Sequence, residues 1–115
     1  MNFIMRIVVT SIVAFGLSYI LKGVHFDTFT SAIVLAIVLA ILNAIVKPIL
    51  VFITFPITVV TLGLFLFVIN ALIILLADYL ITDFRVDGFW WALLFSLLLS
   101  IVTSVLYKEK SNEKE

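Results

Sequence analysis

Four apolar runs, each near the length that crosses a bilayer, leave this chain few ways to fold. They cover roughly residues 3–21, 31–46, 58–81 and 89–107. About 20 apolar residues in a helix span the roughly 30 Å of hydrocarbon in a membrane. Apolar residues make up 65% of the 115-residue chain and charged ones 12%, where a soluble domain carries about a quarter charged residues. So small a soluble domain could not bury that much apolar surface, because its surface is too large for its volume. Lipid is therefore the solvent for most of these side chains.

Inside a bilayer the backbone must satisfy its own polar groups, as a helix or a closed barrel does. Barrel strands alternate apolar and polar residues, whereas Ile33-Val34-Leu35-Ala36-Ile37-Val38-Leu39 does not alternate. The expected fold is all-α and polytopic, with four transmembrane helices arranged as two tandem hairpins. Residues 1–107 form the membrane domain, and the mixed-charge tail 108–115 is expected to fray in the cytoplasm. The first run carries Arg6 but no small-x-small cleavage pattern follows it, so it reads as a retained helix. With the N-terminus inside, Arg6, Lys47, Lys108, Lys110 and Lys114 fall on the inner side, and Lys22 and Arg85 on the outer. The excess of inner cations places both termini in the cytoplasm.

The connection between helices two and three is too apolar for an ordinary loop. It carries Pro48 and Pro56 around Ile49-Leu50-Val51-Phe52-Ile53-Thr54-Phe55. Proline removes a backbone donor and crowds the preceding turn, and it suits the first turn of a new helix. Residues 48–55 are expected to form a short interfacial helix or a re-entrant turn, with one long, kinked helix two as the alternative.

The chain matches itself at a spacing of 60 residues: Asp27, Phe29 and Ala32 align with Asp87, Phe89 and Ala92 without a gap. A stripe of small residues follows the same shift. Helix two carries Ala32, Ala36, Ala40 and Ala44, and helix four carries Ala92, Ser96, Ser100 and Ser104. Residues four apart share a helix face, and small residues let membrane helices approach closely. The pattern predicts a parallel repeat in which helices two and four pack on each other. Asp27 and Asp87 stand just before helices and are expected to cap them.

Polar groups within the apolar runs are the candidate site. Asn70 lies near the middle of helix three, where an unbonded amide is costly; it either bonds a neighbouring helix or lines a polar path. Asn43 and Lys47 stand one turn apart at the inner end of helix two, where the lysine can reach the headgroups along its stem. Asp78 is expected to cap a helix or pair with Arg85. Trp90, Trp91, Tyr79 and Tyr107 suit an aromatic belt. His25 is the only histidine and there are no cysteines. The residues present supply no nucleophile with a base, no phosphate loop and no metal signature. The expectation is a protein that is not an enzyme, takes no cofactor and binds no nucleic acid.

Several pieces of the chain, taken together and in order, resemble a known family. They are Asn43-Ala44-Ile45-Val46-Lys47-Pro48, Pro56-Ile57-Thr58, Thr61-Leu62-Gly63-Leu64-Phe65, Ile69-Asn70-Ala71 and Val86-Asp87-Gly88-Phe89-Trp90. The chain resembles the YvlD-like small bacterial membrane proteins, a group also called a four-helix phage-holin superfamily. The resemblance implies four helices in the bacterial cytoplasmic membrane and marks Asn43, Lys47, Pro48, Pro56, Gly63 and Asn70 as the motif positions. It brings no catalytic or binding residues with it.

Two functions follow as expectations. The first is a non-catalytic accessory of the envelope under membrane stress, acting through helix contacts with itself or with other envelope membrane proteins, in contact with membrane lipid. The alternative, which the holin likeness implies, is a pore or small-solute channel formed by self-association.

Overall fold

The computed structural model describes the backbone of residues 2–113 and the side chains of residues 2–108. Its elements in chain order are α1 (Phe3–Ile20), β1 (Val24–Phe26), α2 (Phe29–Ile53), α3 (Phe55–Val60), α4 (Phe65–Leu80), β2 (Phe84–Val86) and α5 (Phe89–Glu113). Helices one, two, three and four of the sequence correspond to α1, α2, α4 and α5. Among the described residues α1, α2 and α5 are long and apolar enough to cross a membrane. The 16 residues of α4 are apolar but shorter, and at 1.5 Å per residue they span about 24 Å.

Helix starts follow local chemistry. Asn2 opens α1, its side-chain oxygen accepting the Met5 N–H at 2.8 Å. Thr28 opens α2 and accepts from the Ser31 N–H at 3.3 Å. The cap expected of Asp27 therefore falls to the residue beside it, and Asp27 instead donates its backbone N–H to the Asp83 carbonyl at 3.1 Å. Asp87 likewise serves another partner: its carboxylate meets the His25 ring nitrogen at 3.1 Å.

The connection after α2 also departs from expectation. The helix runs through Pro48 and ends at Ile53, so 48–55 is not a separate helix. The break comes at Thr54, whose hydroxyl donates to the Leu50 carbonyl at 2.7 Å, with Pro56 in the first turn of α3. A proline costs one hydrogen bond but is carried here by a helix about five turns long before it. A second proline following a back-bonding threonine ends the run. The turn into α4 is a Schellman motif: the Gly63 N–H donates to the Thr58 carbonyl at 2.8 Å and the Leu62 N–H to Val59 at 3.1 Å. Leu62 takes the left-handed position (φ 57) that glycine usually fills, and Gly63 follows at φ 88. Gly63 thus serves a turn; nothing lies within 4 Å of where its Cβ would be, so it mediates no close helix approach.

The all-α expectation needs one correction. Two three-residue strands pair antiparallel, with Val24 opposite Val86, His25 opposite Arg85 and Phe26 opposite Phe84. The Asp87 N–H extends the ribbon to the Gly23 carbonyl at 2.8 Å. Both strands read apolar-polar-apolar, which turns Val24, Phe84 and Val86 into the bundle and Arg85 outward. The Asp78 carboxylate accepts the Val86 N–H at 3.0 Å and so ties the end of α4 to this ribbon. It holds the strand backbone rather than Arg85.

The four long helices form a ring: α1 packs on α2, α2 on α4, α4 on α5, and α5 on α1. Among the described residues α2 and α5 bring no α-carbons within 8 Å of each other. They lie on a diagonal, and the expected packing of their small-residue stripes is not what the bundle does. At the strand end the diagonal is filled by large side chains. Leu35, Phe84 and Phe95 are fully buried there, and the rings of Phe26, Phe84 and Phe95 lie 4.9 to 6.5 Å apart. Bulk at this level holds the stripes apart lower down. The backbone of α5 stays helical past Tyr107 to Glu113, through most of the tail expected to fray; residues 114 and 115 lie outside the described residues.

Candidate functional site

The stripes that do not touch leave a space. A cavity of about 540 Å³ lies between α1, α2 and α5, within the roughly 300–1,000 Å³ usual for small-molecule sites. Ala36, Ala40 and Ala44 line it from α2, and Ser100, Thr103 and Ser104 from α5. A smaller cavity of about 60 Å³ lies toward α4 and shares Leu39, Asn43, Leu99 and Ser100 with the first. The two adjoin across Asn43 and Ser100 and are together termed the vestibule.

Burial along the stripes gives the vestibule its direction. Ala32, Ala36, Ala92 and Ser96 are buried, whereas Ala44, Ser100 and Ser104 are exposed. The space is closed at the strand end by the phenylalanine cluster and widens toward the opposite end of the bundle. From Ala36 to Ala44 is about 12 Å along a helix.

The polar lining comes from every long helix. Lys47, Asn70 and Ser96 line the smaller cavity. The hydroxyls of Thr10 and Tyr107 are hydrogen-bonded across the larger one, and the Tyr107 hydroxyl also donates to the Arg6 carbonyl at 3.2 Å. The Arg6 guanidinium lies 5.1 Å from the Tyr107 ring centre, a cation over an aromatic face. Serine and threonine hydroxyls buried in the walls satisfy themselves locally: Ser96 donates to the Leu93 carbonyl at 2.9 Å and Thr103 to Leu99 at 2.6 Å. No described carboxylate lines either cavity. Such a lining offers hydrogen-bond donors and two cations, and suits water or an anion. Among the described residues no group of histidine, cysteine, aspartate or glutamate could hold a metal ion.

The structure thus gathers Asn43, Lys47 and Asn70 about one space, together with the lower halves of both small-residue stripes. Pro48 lies one residue beyond Lys47 in α2, while Pro56 in the first turn of α3 and Gly63 after its end lie outside the vestibule. Sequence reasoning missed Arg6, Thr10 and Tyr107 as a group, since Thr10 and Tyr107 stand 97 positions apart and neither is unusual in its own run. It also missed the seat of Trp91, whose ring covers Gly23 so closely that a Cβ there would sit 2.1 Å from the indole.

This arrangement belongs to a recognisable group. A family model described as "Mycobacterial 4 TMS phage holin, superfamily IV" matches residues 1–105. The chain belongs to that family. Members of this holin-like family are membrane proteins with four transmembrane segments, which agrees with α1, α2, α4 and α5 as the spans. The uncharacterized membrane protein YvlD of Bacillus subtilis (strain 168) is 35% identical over 89 residues, covering 76% of this chain and 75% of that one. An uncharacterized protein of Streptomyces coelicolor is 50% identical over 78 residues, covering 64% of this chain and 62% of that protein. No solved structure matches the chain. The YvlD likeness read from the motifs is therefore shown, and with it a bacterial membrane setting.

Proposed function

We propose that this chain is a non-catalytic accessory protein of the bacterial cytoplasmic membrane, acting through helix contacts with itself or with other envelope membrane proteins. The carrying observation is the closed end of the vestibule. Phe26, Phe84 and Phe95 stack beneath the strand ribbon with Leu35 and Val24 fully buried beside them, so one bundle offers a polar recess rather than a path across the membrane.

The holin-like pore is the second reading. The family supports it, as does the convergence of Asn43, Asn70 and Ser100 on one space. Solute flux through liposomes separates the two. Retention of a small dye by well-folded protein fits the accessory reading, and release fits the pore.

Two finer features belong to the same proposal. The chain is two copies of one hairpin. In support, β1 and β2, and α2 and α5, begin 60 positions apart, and Asn70 and Tyr107 stand 60 positions after Thr10 and Lys47. Thr10 with Tyr107 and Asn70 with Lys47 then occupy equivalent corners of the vestibule. Both termini, the wide end of the vestibule and the tail 108–115 face the cytoplasm, a reading supported by the excess of lysine and arginine at that end. Labelling of single cysteines at Asn2 and at Arg85 from either side of the membrane tests this, and label entering Asn2 only from outside would overturn it.

A further inference from the structure

We infer that the vestibule is a binding site for a net-anionic phosphate group, the headgroup of an anionic phospholipid. The inference rests on the membrane placement of the bundle and stands whether or not the protein conducts.

Among the described residues the carboxylates are confined to one end of the bundle, where Lys22 and Arg85 stand beside them. Asp27, Asp78, Asp83 and Asp87 all lie at the strand end, in or beside the ribbon, while Arg6 and Lys47 reach the vestibule at the other. Arg6 is exposed at the larger cavity and Lys47 half-buried at the smaller, and a cation at membrane depth is stabilised by a counter-charge or by water. The described lining provides no carboxylate for either one. It does provide amide and hydroxyl donors, from Asn43, Asn70 and Ser100. A cation in each of two adjoining cavities, Arg6 in the larger and Lys47 in the smaller, with neutral donors at their shared wall, matches a phosphate, whose oxygens accept many hydrogen bonds and whose charge makes those bonds strong.

The shape favours a lipid as the source of that phosphate. One flank of the larger cavity is apolar, with Phe3, Ile7 and Leu39, and Phe3 is itself exposed at the mouth. A headgroup seated by Arg6 and Lys47 would leave its acyl chains against such a flank. The mouth lies at the end of the bundle, where α1 begins and α5 runs outward, the level at which headgroups of the surrounding leaflet stand. The Tyr107 ring holds the guanidinium of Arg6 at this mouth through its face, so the cation is positioned before any ligand arrives.

The test is native mass spectrometry of the full-length protein in a neutral detergent, with phosphatidylglycerol or phosphatidylcholine added in equal amounts. Phosphatidylglycerol should be retained about tenfold more, because the choline cation of phosphatidylcholine offsets its phosphate charge beside Arg6 and Lys47. Arg6→Gln and Lys47→Gln should each lose that preference, Arg6→Lys should restore part of it, and Lys22→Gln at the strand end should leave it intact. Ser100→Leu fills the vestibule while keeping both cations, and should lose retention with the fold preserved by circular dichroism. Competition by millimolar inorganic phosphate would keep the oxyanion site but assign it to the free ion. Equal retention of the two lipids overturns the inference. So does full retention by Ser100→Leu, which would place the lipid on surface cations.

Discussion

Replacing Gly23 by alanine should loosen the joint at which both hairpins meet the ribbon. A Cβ on Gly23 would lie 2.1, 2.2 and 2.3 Å from three atoms of the Trp91 indole, whereas carbon atoms rest about 3.5–4.0 Å apart. The ring is rigid and must move by well over an ångström. Overpacking of this kind costs about 1–3 kcal/mol, and the upper half applies here because the Gly23 carbonyl also accepts the Asp87 N–H. Reversible unfolding by sodium dodecyl sulfate in mixed micelles, followed by tryptophan fluorescence, reads both stability and the displaced indole. Gly16→Ala is the control: nothing lies within 4 Å of its Cβ position in α1, and removing a mid-helix glycine should gain about 0.5–1 kcal/mol. Combining Gly23→Ala with Trp91→Leu should cost less than the two changes summed. A Gly23→Ala protein with wild-type stability and unshifted emission would mean that the Trp91 indole does not cover Gly23.

Other perturbations probe the rest of the account. Leu62→Gly should stabilise the protein by up to about 1 kcal/mol in the same assay, because relief of about 1–2 kcal/mol of left-handed strain is partly offset by the entropy of a new glycine and the exposed leucine side chain packs on little. Phe84→Ala should cost about 3–5 kcal/mol, the range for a buried aromatic truncated to a cavity, since Phe84 is fully buried in the cluster closing the vestibule. Asp78→Ala should cost about 1–3 kcal/mol by leaving the Val86 N–H without its acceptor, and hydrogen exchange at Val86 should speed up in step.

Much of this fold is legible in the sequence because lipid imposes a simple rule on it. The four apolar runs correspond to the four long helices, and the motif pieces around Asn43, Lys47 and Asn70 point to the region that becomes the vestibule. The helix ends are less legible. Thr28 and Asp27 are both plausible caps, and only the backbone geometry decides between neighbours. Pro48 reads as a breaker in isolation, yet a proline within a long apolar helix is tolerated. The ribbon is hidden because Val24-His25-Phe26 and Phe84-Arg85-Val86 are too short to show a period, and each becomes a strand only against the other. The small-residue stripes misled for a related reason. Spacing by four marks a face, but whether that face meets a helix or a space depends on the bulk above it, here Leu35 and Phe95. The polar cluster of Arg6, Thr10 and Tyr107 depends on bringing the two ends of the chain together, which no local pattern records.

A single bundle holds a polar recess closed by its phenylalanine cluster. Flux of a small fluorescent dye from liposomes containing the purified protein tests it most directly, with Asn70→Leu measured alongside. Wild-type and variant alike should retain the dye, with folding verified in the same preparation. Steady release by the wild-type protein that Asn70→Leu abolishes would contradict it, and would make Asn70 part of the lining of a conducting pore.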